Sequence, residues 1–130
     1  MQRPDVTGAL KKIMLVDDSA TILMMERMIL SKGPYELVTA KDGQEALERA
    51  PIERPDLILL DLMMPRVNGL EACRLLRQIE ATSHTPIIMV TTRGELANIE
   101  TAFGNGCNDY VTKPINGVEL LTKIRHFLGV

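Results

Sequence analysis

The sequence has little with which to staple itself, enter a membrane or hold a polyanion. Only two cysteines, Cys73 and Cys107, occur in 130 residues, with neither CxxC spacing nor a histidine pattern beside them. That excludes a disulfide framework and a cysteine-based zinc site, and both thiols read as small core residues of a reduced, cytoplasmic protein. No apolar run approaches the ~20 residues that span a bilayer, and Met1 to Leu10 lacks a charged start followed by an apolar stretch, so no membrane insertion is expected. An excess of positive charge is missing too. The formal net charge is -2, which supplies no basic field for DNA or RNA, and no direct nucleic-acid binding is expected of this chain. Repeats and Ser/Gly-rich linkers are also lacking, which leaves a polar tail over residues 1–10 and one domain over residues 11–130.

What is present is alternation. Apolar residues make up 45% of the chain, enough for one packed core. Short aliphatic runs at Lys12–Val16, Glu36–Ala40, Leu57–Leu60, Ile87–Val90 and Tyr110–Thr112 read as strands. Between them, helical periodicity covers Thr21–Ser31, Gln44–Arg49, Gly69–Glu80, Glu95–Phe103 and Gly117–Leu128. Asp42 stands three before Glu45 and Asn68 three before Glu71, the spacing of a capping box. Five successive βα units with short connections predict a doubly wound α/β fold, a parallel sheet with helices on both faces. The unbroken aliphatic content of the first, third and fourth strands places them centrally, whereas the second alternates and suits an edge.

Each central strand ends on chemistry. Asp17-Asp18 closes the first, Asp61 the third and Thr91-Thr92 the fourth, while the fifth leads into Lys113-Pro114. Ligands of open α/β sheets bind at the carboxyl ends of the strands. Carboxylates gathered there repel one another unless a cation sits among them, and hard oxygen donors suit Mg²⁺, which commonly shares its site with phosphate. Asp61 can then act as a nucleophile toward a phosphoryl group, with the Thr91 and Thr92 hydroxyls and the Lys113 ammonium facing its oxygens. Singly, each residue has a plainer reading: an Asp after a strand is often a cap, and a Lys before Pro is often solvated. The ordered coincidence carries the weight.

The blocks Val16-Asp17-Asp18-Ser19, Leu60-Asp61-Leu62-Met63-Met64-Pro65 with Asn68-Gly69, Thr91, and Asp109-Tyr110-Val111-Thr112-Lys113-Pro114 resemble the receiver domain of two-component response regulators, over nearly all of Lys12 to Leu128. The resemblance implies a flavodoxin-like five-stranded sheet of order 2-1-3-4-5 with five helices, an order known for a chemotaxis receiver. It implies Asp61 as phosphoacceptor, Mg²⁺ held by Asp17, Asp18, Asp61 and the Met63 carbonyl, and Lys113 as the phosphate-contacting lysine. Thr91 and Tyr110 would form the switch pair, and the Lys113–Pro114 peptide would be cis. The implied partners are a sensor histidine kinase or phosphotransfer protein as donor and a downstream protein target of unknown identity. A signalling switch is expected, rather than an enzyme with turnover.

Several positions leave alternatives open. Met63 and Arg93 flank the site, and Met63 cannot orient a water by hydrogen bonding, so slow dephosphorylation is expected. Thr92 either narrows the pocket or caps the fourth helix. In the first helix Ile22, Met25 and Ile29 make one apolar face, while Leu23, Met24, Met28 and Leu30 extend it, as a docking surface or as ordinary packing. Glu119, Lys123 and Arg125 on the last helix either pair across a phosphorylation-dependent homodimer or are solvated. His84 and His126 are assigned no role. A haloacid-dehalogenase phosphatase would need an Asp where Met63 stands, and a flavodoxin would need a phosphate loop where Asp17-Asp18 would repel the ligand. A receiver kept only for protein interaction is the remaining rival. The chain reads as a stand-alone receiver or as one cut from a longer regulator.

Overall fold

The aliphatic runs pair side by side in a computed structural model that describes residues 10–130. The tail expected over residues 1–10 therefore lies, save for Leu10, outside the described residues. Strands β1 (Lys11–Val16), β2 (Tyr35–Ala40), β3 (Leu57–Asp61), β4 (Ile87–Thr91) and β5 (Asp109–Thr112) alternate with helices α1 (Ala20–Leu30), α2 (Gly43–Glu53), α3 (Gly69–Leu76), α4 (Ile99–Gly104) and α5 (Gly117–Leu128). The sheet is parallel throughout, in the order β2-β1-β3-β4-β5. This is the flavodoxin-like arrangement that the family resemblance implies, and β1, β3 and β4 lie inside with β2 at an edge, as their patterning predicts.

Alternation along each strand divides the interior into two layers. Met14, Val16, Ile58, Leu60, Ile87 and Met89 face α2, α3 and α4, where Ala46, Ala50, Ala72, Cys73, Leu76 and Ala102 let the helices approach closely. Ile13, Leu15, Leu57, Leu59, Ile88 and Val90 face the other way, onto Leu30 of α1 and Leu120 and Ile124 of α5. Both cysteines are free and buried, as expected of core residues. Among the described residues no helix is long and apolar enough to cross a membrane.

Asp42 accepts from the Glu45 N–H at 2.8 Å and Asn68 from the Glu71 N–H at 3.0 Å. Only this first half of each expected capping box forms, because Glu45 turns to the Lys41 N–H at 2.7 Å and Glu71 to the Arg74 guanidinium at 2.7 Å rather than back to the capping residue. Three helix limits differ from expectation. α2 runs on from Arg49 to Glu53 through Pro51, which removes only one N–H in the final turns while buried Ala50 continues the inner stripe. α3 stops at Leu76 rather than Glu80, because the Thr82 hydroxyl takes the Leu76 carbonyl at 2.6 Å and Arg77 turns away to bond the Gly106 carbonyl at 3.0 Å. The single helix expected over Glu95–Phe103 is a 3-10 segment, Arg93–Asn98, followed by α4; the 3-10 segment has no buried residue to hold a longer α-helix against the sheet.

Candidate functional site

Strand register brings the polar ends level. Val16 pairs with Leu60, so Asp17 lies one step beyond β1 beside Asp61, while Asp61 pairs with Val90 and sets Thr91 one residue further along β4. Glycine shapes the loop behind Asp61: a Cβ on Gly69 would stand 2.2 Å from the Asp61 carbonyl oxygen, so only glycine lets α3 begin this close.

Asp17 is buried, with Oδ1 accepting from the Ser19 N–H at 2.9 Å, and Ser19 in turn caps α1 by accepting from the Ile22 N–H at 3.2 Å. Asp17 Oδ2 is buried and makes no hydrogen bond among the described residues. Lys113 reaches in from the loop after β5, its Nζ 3.2 Å from Asp61 Oδ1 and 3.5 Å from Asp17 Oδ2, and the Lys113–Pro114 peptide is cis. Asp18 is exposed at the rim, yet one carboxylate oxygen from each of Asp17, Asp18 and Asp61 lies within 4.8 Å of the other two. One ammonium thus faces three carboxylates. Burial first, then repulsion from Asp17, pushes Asp61 up to about 6 against the pull of Lys113. Burial likewise raises Asp17. Lys113 is disfavoured as a cation by its burial, but Asp61 and Asp17 outweigh this and raise it. An excess of negative charge, a buried Asp17 oxygen met only by the ammonium at 3.5 Å and an all-oxygen donor set fit a small hard divalent ion.

Thr91 is fully buried, its hydroxyl shared between the Thr92 carbonyl at 3.1 Å and Glu95 Oε1 at 3.4 Å. The same Glu95 oxygen accepts from the Thr92 N–H at 3.1 Å, so Thr92 serves as the cap of the segment leading into α4. Tyr110 is half-buried on β5, edge-on to Phe103 at 6.4 Å, with the Lys123 ammonium 5.3 Å from its ring centre. Met63 is exposed on the loop after β3 and Arg93 at the start of the 3-10 segment after β4, and His84 and His126 are exposed elsewhere. The structure therefore gathers Asp17, Asp18, Asp61 and Lys113 into direct proximity, and sets Thr91 and Tyr110 on the adjoining strands β4 and β5.

Two polar residues around the site escaped sequence reasoning. Glu95 was legible only as part of a Thr-x-x-Glu spacing, and its hold on Thr91 depends on the fold. Glu26 lies inside α1, and it corrects the expected apolar face: Met25 is exposed, while Glu26 and Leu30 are the residues of α1 buried against the sheet. The inner stripe runs Leu23, Glu26, Leu30, an i, i+3, i+7 pattern with a carboxyl in its middle.

The family model of the response regulator receiver domain matches residues 13–125. The alkaline phosphatase synthesis transcriptional regulatory protein PhoP of Bacillus subtilis is 38% identical over 118 residues, which cover 91% of this chain and 48% of that protein. The chain spans about half the length of the curated relatives it matches. Among solved structures, a chemotaxis response regulator of Vibrio cholerae superposes with TM-score 0.85 at 33% identity, covering 92% of this chain and all of that one. The receiver domain of a sensor histidine kinase from Pseudomonas aeruginosa, solved with a magnesium ion in its active-site cleft, superposes with TM-score 0.85 at 30% identity over 94% of this chain and all of that one. PhoP is a transcriptional regulator, so the expectation of no nucleic-acid partner finds no support at the level of such whole proteins.

Proposed function

The chain belongs to the response regulator receiver domains of two-component systems, and from that premise we propose that it is a phosphoacceptor switch in which Asp61 takes a phosphoryl group from a phosphohistidine of a sensor histidine kinase or phosphotransfer protein. The observation that carries this is the Lys113 ammonium lodged between Asp61 and Asp17, beside a third carboxylate at one sheet edge. A carboxylate oxygen of Asp61 attacks phosphorus, the P–N bond to the donor histidine breaks as the P–O bond forms, and the imidazole leaves with the electron pair of the broken bond. Lys113 exchanges its carboxylate partner for a phosphoryl oxygen, and the Thr91 hydroxyl turns from Glu95 toward another. Asp17, Asp18, Asp61 and the Met63 carbonyl would hold Mg²⁺, which when bound supplies positive charge to the carboxylates and the transferred oxygens. Movement of Thr91 and Tyr110 then alters the surface of α4, β5 and α5, which a downstream target or a second copy of the chain would read. Met63, exposed and without a donor, leaves the hydrolytic water unoriented.

Incubation with Mg²⁺ and acetyl phosphate is expected to add one phosphoryl group by mass, lost in Asp61→Asn; no adduct from acetyl phosphate or phosphoramidate would leave a protein-interaction module without phosphorylation. Glu95→Ala removes an acceptor that competes for the Thr91 hydroxyl. Its phosphorylated form should persist about 2- to 5-fold longer than the parent's, the scale of one modest hydrogen bond, at a cost of about 1 kcal/mol in capping. Timed mass spectrometry and chemical denaturation check the two effects, and an unchanged lifetime would show that Glu95 does not restrain Thr91.

A further inference from the structure

Glu26 is 1% exposed, and neither of its carboxyl oxygens has a hydrogen-bond partner among the described residues. It makes no hydrogen bond to the acidic site, yet the charged groups acting on it all belong there: Asp17 after β1, Asp61 at the end of β3, and Lys113 after β5. β2 and α5 also pack on α1, and they bring Tyr35, Leu37, Leu120 and Ile124 to the core beneath it. A carboxylate in such a place has no solvation, no hydrogen bond and two acidic neighbours against one ammonium. Burial first, with repulsion from Asp17, pushes Glu26 up to about 9, so it rests as a neutral acid.

We propose that Glu26 is a fourth carboxyl of the site, set behind the three at the sheet edge, which gives up its proton to solvent when a divalent cation enters. The proposal rests on the assignment of Asp17, Asp18 and Asp61 as a cation seat. Positive charge at that seat cancels the repulsion from Asp17 and Asp61 and makes ionised Glu26 less costly. By linkage, cation affinity then rises with pH. The rise belongs to the window between about pH 7 and about pH 9, above the range of Asp61 and below that of Lys113. A drop of one unit in Glu26 on cation binding would strengthen binding about fivefold across the window, approaching tenfold above it, and release roughly half a proton per ion near pH 8.5.

Titration calorimetry of the whole chain with Mg²⁺ alone, at about pH 8.5 in two buffers of different ionisation enthalpy, counts the protons released. The parent is expected to release more than Glu26→Gln, whose amide mimics the neutral acid, while the two bind Mg²⁺ alike at about pH 6.5. The ¹³C shift of the Glu26 carboxyl in the parent, followed against pH with and without Mg²⁺, should move to lower pH with the ion; this measurement stands even if the variant does not fold. Equal proton release by parent and variant, or a carboxyl midpoint unmoved by Mg²⁺, overturns the proposal and leaves the cation seat intact. Failure of the parent to bind Mg²⁺ at any pH overturns both.

Discussion

Replacing Lys113 with methionine is expected to slow phosphorylation of Asp61 by acetyl phosphate about a hundredfold, the scale of losing one pre-placed electrostatic donor in a site that excludes water. Methionine keeps the length and apolar stem of the side chain, so the loss isolates the ammonium. In the resting protein that ammonium lies 3.2 Å from Asp61 and 3.5 Å from Asp17, and it pulls both carboxyls down against their burial. Without it both acids should titrate higher still. Asp61 lies at about 6, above its ordinary value of 3.8, so between those limits the folded state holds a proton that the unfolded chain has shed. The variant should therefore be more destabilised at about pH 8, by roughly 2 kcal/mol, than at about pH 5, where protonation of Asp61 relieves the repulsion. Mg²⁺ should restore part of the stability at the higher pH by supplying the missing charge. Quench-flow with mass detection reads the rate, and urea denaturation at the two pH values reads the stability. A rate within a few-fold of the parent's would remove Lys113 from the phosphoryl-transfer step.

The sheet was legible because its strands are buried on both faces and leave an unbroken aliphatic signature. Leu57 to Leu60 and Ile87 to Val90 have almost no other way to be satisfied than between two layers of helices. The acidic edge was legible for a related reason: each strand ends abruptly on a charged or hydroxylated residue, and a parallel sheet with one helix per connection aligns those ends. Helix limits were less so. Arg77 ends α3 through contacts to Thr82 and Gly106, residues that no local rule associates with it. α1 shows the harder failure. Seven of its residues are Ile, Leu or Met, so several faces score alike, and periodicity chose the one through Met25. Only packing shows that the inner stripe passes through Glu26, because a buried charge contradicts every local preference and survives by staying neutral. Local rules fail where the helix meets the acidic site. Sites that depart from them for function are commonly paid for in stability.

That cost should be measurable by replacing Glu26 with leucine. The unfolded carboxyl ionises above its ordinary value of 4.5, whereas the folded one keeps its proton up to about 9. Between those limits the unfolded state binds fewer protons than the native state, so stability falls as pH rises, by at most about 1.4 kcal/mol per unit. Near neutral pH the accumulated penalty is about 3 kcal/mol. Leucine removes the titration, fills the same stripe as Leu23 and Leu30, and adds about 1–2 kcal/mol of apolar burial in place of two unpartnered oxygens. Glu26→Leu should thus gain about 2–3 kcal/mol at about pH 5 and about 5–6 kcal/mol at about pH 7.5, raising Tm by on the order of 15–25 °C at the higher pH. Urea titrations at both pH values test the slope, which separates ionisation from packing: a gain equal at the two would mean that Glu26 finds solvent or a partner when charged. A gain that grows with pH, joined to a loss of proton release on Mg²⁺ binding, would mean that the chain keeps a destabilising carboxyl under its acidic edge and that the cation seat is where the carboxyl acts.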